Sequence, residues 1–449
     1  MRRRRRFLIA ALAAAVVTGG PLLPAGGDDR DEKLKGTDAN IRDHAARLVR
    51  EGREIFRFDT FGSEAFWGGG LRLHEAIAGG ANGGTGPGVS PRAALSLGLK
   101  VDVDALPSDL VARVRAGAIN VDDPAVTLAL LKLDAVVGVK GFFSPEGRLR
   151  SVGIRCSLCH STVDKSFKTS AIPAGNIGRR LDGWPARQLN VGAIIAAAPT
   201  VKPLADLLGL DEPTVRRVAL SWGPGKFDAS LILDGKAFRP DGKSGAVLIP
   251  AAYGLAGVGQ HTYTGWGGVS HWNALVANLE MGGSGTFWDP RLNDEARFPI
   301  AAKAGFGNRR TDKDLITGKL AALQMYQLAI PAPRGERAPF DFGARRGEEL
   351  FNGKARCSNC HVPPLYTEPG WNMHTPEEIG IDAFQAQRSP DGRYRTTPLG
   401  AVSTREEGGY YHDGRFHTLR DVVVHYDGHL KLGLSEQEVS DLIAFLRTL

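Results

Sequence analysis

The chain has 449 residues, 42% apolar and 23% charged, enough apolar material to bury a sizeable core in two or three domains. Its formal charge of +7 does not indicate a nucleic-acid partner: Arg2 to Arg6 supply five of the positives and leave about +2 beyond them, and no later Lys/Arg block interleaves with aromatics. Glycine, at 57 residues, is roughly twice its usual share and reads as loop-rich.

In chain order, residues 1–25 have the basic start, short apolar run (Phe7 to Val17) and small-residue exit of a secretory signal peptide. The apolar run is well short of the roughly 20 residues a spanning helix needs. The expectation is export to the periplasm, with membrane attachment only through an uncleaved signal. Residues 26–150 read as a helical N-terminal extension. A helix is expected from near Asp38 through Ile41, Ala45, Leu48, Val49 and Gly52, and two more over 107–116 and 124–137, each with Ser or Asp beside a proline at its start. The Gly-rich stretch 79–91 is a loop by composition.

Residues 151–330 form a first domain with long Gly-rich stretches at 221–245 and 254–285, and residues 331–343, rich in proline and charge, read as a linker. A compact C-terminal domain follows over 344–449. It starts with a short amphipathic helix to Phe351. It ends on Ser435 with Glu438 three residues on, a capping box, before a helix bearing Val439, Leu442, Ile443, Leu446 and Leu449. Strand signals are weak, so the fold class is mainly α.

All four cysteines fall in two pentads, Cys156-Ser157-Leu158-Cys159-His160 and Cys357-Ser358-Asn359-Cys360-His361. Two thiols three positions apart reach the two vinyl groups of one porphyrin, and the adjacent histidine is carried under the ring to bind iron. The cofactors expected are two covalently bound haem c groups, held by Cys156, Cys159, Cys357 and Cys360, with His160 and His361 as iron ligands. The fold expected is two c-type cytochrome haem domains in tandem. A zinc site built from the paired Cys-x-x-Cys units is the alternative; the histidine directly after each second cysteine and the export signal argue against it.

From Arg345 onward the chain resembles the C-terminal haem domain of bacterial di-haem cytochrome c peroxidases and the related MauG enzymes. The carrying residues are Gly347 to Phe351, Cys357 to His361, Thr396 to Leu399, Gly409 to Gly414, Thr418 to Tyr426 and the closing helix. At the position where the peroxidases have a methionine ligand this chain has Tyr426, which is closer to MauG; Met373 and His374 compete for the same iron. Residues 248–253, 264–268 and 279–282 follow the order of the family's first-domain segments. That match implies Trp266 as the aromatic between the haems and Glu280 as the distal acid, each with an ordinary packed or solvated reading beside it. Arg179 falls where the family often has a distal histidine. The first iron is thus either permanently open, with Arg179 stabilising bound oxygen, or closed by His261, His271 or Met281.

His44 and His74 are expected to be buried and structural. The resemblance implies reaction with hydrogen peroxide or another small oxidant at the first haem, with a small redox protein or a quinol-side donor as electron source. It allows calcium without placing it on any residue. A non-enzymatic electron-transfer cytochrome and a di-haem oxygenase are the other readings.

Overall fold

The computed structural model describes residues 36–164, 166–167, 175–333 and 339–449. The signal peptide expected at 1–25 lies outside the described residues. The chain divides into a unit Met1–His44 and a unit Ala45–Leu449. About 45% of residues are helical and 9% are in strands, so the fold is mainly α. No described helix is long and apolar enough to cross a membrane.

Helix α1 (Thr37–Phe58) forms where the apolar spacing predicts it. Its buried stripe follows Val49, Gly52, Ile55 and Phe56. His44 lies off that stripe and is exposed, contrary to expectation, whereas His74 is half-buried. The next two expected helices appear as Ser108–Arg115 and Pro124–Lys132, the second with the Asp123 carboxylate accepting the Ala125 N–H at 2.8 Å.

The extension is not all helical. Strand β1 (Val139–Phe143) pairs antiparallel with β2 (Leu149–Ile154). The intervening Ser144-Pro-Glu-Gly147 closes a turn, with Ser144 N–H donating to Arg148 O at 2.8 Å. Its alternating pattern is short and interrupted by glycines, which is why a strand reading was not made. This hairpin feeds helix α2 (Cys156–His160), the first cysteine pentad. Strand β3 (Ser161–Val163) continues from it and pairs with β4 (Arg180–Asp182).

The stretch 254–285 is also less loop-like than its glycines suggest. Helix α3 (Val269–Leu275) runs into a π-helical turn over Val276–Glu280, since Val269, Leu275, Val276 and Leu279 supply one apolar side. Helix α4 (Leu320–Ala329) crosses α1 at Gly52, where a Cβ would lie 1.9 Å from Ala322 O.

The C-terminal unit packs helices α5 (Phe342–Asn352), α6 (Leu419–Leu430) and α7 (Glu436–Leu446) round Phe351, Val423, Val439, Leu442 and Phe445. Helix α5 starts inside the expected linker, with the Asp341 carboxylate as its cap. The capping box predicted at Ser435 and Glu438 is present. Gly347 is the crossing point of α5 and α7, a Cβ there falling 2.0 Å from Asp441 O, and Arg346 grips the Asp441 carboxylate through two 2.7 Å bonds.

A buried ion triad ties this unit to earlier chain. Arg388 donates to Asp234 at 2.8 Å and pairs with Asp228 at 2.9 Å, all three side chains at most 1% exposed. Burial, partly offset by Arg388, raises Asp228 to about 6. Removing the cation from such a site leaves two desolvated carboxylates. The Arg388→Met variant is expected to lose about 3–5 kcal/mol of stability, measured as a fall in the denaturant midpoint.

Candidate functional site

Backbone bonds pin the first pentad from both sides. Gly183 N–H donates to His160 O at 2.8 Å and Ala186 N–H to Cys159 O at 2.9 Å. Just upstream, Arg155 is 2% exposed and pairs with Asp134 at 2.8 Å. The His160 ring is fixed by its own hydrogen bond, Nδ1 to Pro250 O at 3.2 Å. A carbonyl only accepts, so Nδ1 carries the hydrogen and Nε2 keeps a free lone pair. Burial pushes this imidazole down to about 4, holding it in the neutral form that binds metal.

The second pentad repeats the device on a different local structure, a 3₁₀ turn over Cys357–Asn359. His361 Nδ1 meets Tyr366 O at 2.9 Å, and burial again lowers the ring to about 4. Both histidines therefore present Nε2 as a ready ligand.

The second pentad opens on a cavity of about 430 Å³, lined by Cys357, Cys360 and His361 together with Tyr426, His374 and Pro250. Arg187, Arg395 and Arg405 also line it, and each has a buried guanidinium nitrogen without a hydrogen-bond partner. Burial, then the charge of Arg405, lowers Arg395 to about 10. Among the described residues no carboxylate pairs with any of the three. Buried guanidinium nitrogens left without a partner are costly unless a bound acceptor completes them. A haem fits on both counts: its ring matches the apolar walls, and its two propionates supply the missing carboxylates.

A smaller cavity of about 310 Å³ lies beside the first pentad. Trp67, Trp222 and Leu231, which line it, belong to the core cluster against which Cys159 packs. Glu280 is in the wall, at the end of the π-helical turn, and burial raises its carboxyl to about 7. The turn is held by Asn278, whose Nδ2 donates to Ala274 O at 2.9 Å and Thr286 O at 3.2 Å. Arg309 and Trp222 each bring a buried N–H into this wall without a partner, Nε and Nε1 respectively. The residues lining the cavity include no histidine, methionine, tyrosine or cysteine.

The other expected site residues lie as follows. Tyr426 lines the second cavity, its hydroxyl hydrogen-bonded to that of Tyr411 and its ring 6.3 Å from the Tyr411 ring. His374 also lines it, but its Nε2 is bonded to Glu368 at 2.6 Å. Met373 is buried with its sulfur against Gly265 and does not line the cavity.

Trp266 lines neither cavity. It is 4% exposed and stacks on Phe298 at 5.9 Å, and its Nε1–H donates to Asp289 at 2.9 Å. Arg179 has a side chain 71% exposed, 3.7 Å from Asp104, and lines neither cavity. His261, His271 and Met281 are also absent from the first cavity's wall. Arg309 is the cation found there, and Arg187, Arg395 and Arg405 were not singled out either; single arginines scattered along the chain carry no motif. Asp382 and Asp413, which cluster with His412, are both paired with Arg239 and Arg415.

No protein-family model matches the sequence. MauG of Methylorubrum extorquens is 30% identical over 153 residues, 30% of this chain and 43% of that protein. Cytochrome-c peroxidase IdrP1 of Denitromonas iodatirespirans is 27% identical over 232 residues, 39% of this chain and 60% of that protein. MauG of Methylophilus methylotrophus is 28% identical over 178 residues, 34% of this chain and 51% of that protein. The chain thus spans about half the length of the curated relatives it matches. Both names belong to the di-haem cytochrome c peroxidase family, so the resemblance read from the sequence is borne out over these stretches. Among solved structures, Kuenenia stuttgartiensis hydrazine synthase pressurised with xenon aligns over 48% of this chain and 76% of that chain, with 18% identity and a TM-score of 0.28, too low to argue from.

The number of haems can be checked separately at each pentad. Cys156→Ser/Cys159→Ser and Cys357→Ser/Cys360→Ser are each expected to lower covalent haem from two per chain to one, read by the pyridine haemochrome assay.

Proposed function

We propose, from the resemblance of this chain to di-haem cytochrome c peroxidases and MauG proteins, that it is an exported di-haem c-type cytochrome that reduces hydrogen peroxide at its first haem. The observation that carries this reading is Glu280, a buried carboxyl raised to about 7 in the wall of the first cavity, near the first pentad. An iron held by His160 with no second side-chain ligand would have a position free for a small oxidant.

The haem, when bound, supplies the electrons and the open coordination position. Glu280 supplies the proton traffic. Its ionised carboxylate takes a proton from peroxide, and the carboxylic acid so formed returns it to the departing oxygen. A pKa near the working pH lets one group do both. Arg309, across the same cavity wall, provides positive charge in a low-dielectric space. His160 is held by the Pro250 carbonyl with Nε2 free, and would bind the iron through it.

At the second site Tyr426 would be the further iron ligand, since its hydroxyl bonds another phenol, Tyr411, whereas His374 is held by the carboxylate of Glu368. That site accepts and stores electrons from a small redox protein or a quinol-side donor in the periplasm. Residues 151–330 and 344–449 would be the two haem domains.

Glu280→Gln is expected to slow the reaction with peroxide about 10²–10⁴-fold without loss of haem, measured by stopped-flow absorption. The base acts only when ionised. The native rate should therefore fall as pH drops through about 7, and the variant's profile should be flat there. Two irons indifferent to peroxide in the native protein would return the chain to an electron carrier. Tyr426→Phe is expected to change the absorption and EPR spectra of the second haem, and His374→Ala to leave its axial ligation intact.

A further inference from the structure

Beside the first pentad lies a buried triad that neither cavity uses. The Tyr326 hydroxyl donates to Asp182 Oδ2 at 2.5 Å, and Arg57 Nε donates to the same oxygen at 2.5 Å. Ser161 Oγ donates to the other oxygen at 2.8 Å. The Asp182 side chain is 4% exposed. Ser161 follows His160 directly, and Asp182 is its cross-strand partner in the β3–β4 pair. Tyr326 shares a core cluster with Ala277 and Met281, and Cys156 packs against that cluster. The surroundings of this phenol thus include both the haem-binding pentad and the turn that carries Glu280.

A hydroxyl here is more than packing requires. Phe56 fills the adjoining position, its ring 5.6 Å from that of Tyr326, with no polar atom. Of the eight tyrosines, Tyr326 is the one, among the described residues, whose hydroxyl is bonded to a carboxylate. Tyr253 meets Thr404 and Tyr394 donates to a backbone carbonyl. Trp67, nearer the cavity, also gives its N–H to a carbonyl, Met281 O at 3.0 Å. A carbonyl cannot take up a proton from an oxidised ring, whereas a carboxylate can. Arg57 sets a positive charge 2.5 Å from the acceptor oxygen.

We propose that Tyr326 is a redox-active tyrosine that gives one electron to the first haem site, with Asp182 as the acceptor of its proton. The inference rests on the peroxide reading above. Reducing one hydrogen peroxide to two waters takes two electrons and two protons. Tyr326 supplies one electron to the site that peroxide has oxidised. Its O–H bond breaks as it does so, and the proton passes to Asp182 Oδ2. A neutral tyrosyl radical and a protonated carboxyl remain. The second electron comes from the second haem site. When the external donor returns an electron, Asp182 gives the proton back and the phenol is restored.

The test uses the haem-loaded full chain, grown with ring-deuterated or ordinary tyrosine, mixed with hydrogen peroxide, freeze-quenched and read by EPR beside haem absorption. The expected result is a radical signal that narrows on ring deuteration. It should be absent from Tyr326→Phe and at least about tenfold weaker in Asp182→Asn, while the first absorption change of the haem persists in both. A tyrosine signal undiminished in Tyr326→Phe overturns the proposal, as does a native protein whose haem bands respond to peroxide without any tyrosine signal. Haem bands that do not respond in the native protein overturn the peroxide reading instead. In that case a flash-quenched ruthenium oxidant, which needs no peroxide, reads the same signal, and its absence overturns the role of Tyr326.

Discussion

Residues 248–253 hold the first cysteine pentad through their own backbone and line the cavity of the second. Pro250 O receives the His160 ring N–H at 3.2 Å, and Ala252 N–H donates to Gly183 O at 2.8 Å, next to the strand that follows His160. On its other flank, Leu248 N–H donates to His412 O at 2.6 Å, and Pro250, Ala251 and His412 line the larger cavity. One segment therefore orients the His160 ring and walls the second cavity. Proline suits the position where only a carbonyl is wanted, since it has no N–H to satisfy.

Around that segment, charge is distributed in two contrasting ways. Arg388 is fully enclosed and fully paired, with Asp228 and Asp234 both within 3 Å. Arg187 is buried and Arg395, Arg405 and Arg309 are half-buried, yet each retains a buried nitrogen without a partner, and all four line a cavity. The first kind stabilises the protein as it stands. The second is complete only with an anionic guest, so the free energy of binding that guest is also folding free energy.

How far the sequence was legible follows from how local each feature is. The pentads could be read because attachment chemistry demands its residues within five positions. Helices with side-chain caps, at Asp123 and Ser435, were read for the same reason: cap and helix are neighbours in sequence. Glu280 was reached through the short Glu-Met-Gly segment, and burial gives it a raised pKa. Trp266 came by the same kind of match and turned out to stack on Phe298 in a core of its own. Arg179 was placed by counting from the pentad, and its side chain points to solvent. The arginines that do face the cavities come from positions 187, 309, 395 and 405, which only the folded chain brings to the two walls. The β1–β2 hairpin was missed because pairing, not local pattern, makes its strands.

The crossing of α5 and α7 has a consequence for how this protein can vary. With 2.0 Å between the position of a Cβ on Gly347 and the Asp441 carbonyl oxygen, any side chain there must push the helices apart. The α5–α7 pair also holds the floor of the second site, through Phe351, Leu442 and Leu446. A lineage accumulating single substitutions can exchange most of the surface of these helices freely, but it meets a wall at one residue. Passing it would need a second, simultaneous change that moves α7, and that same movement would reshape the pocket below.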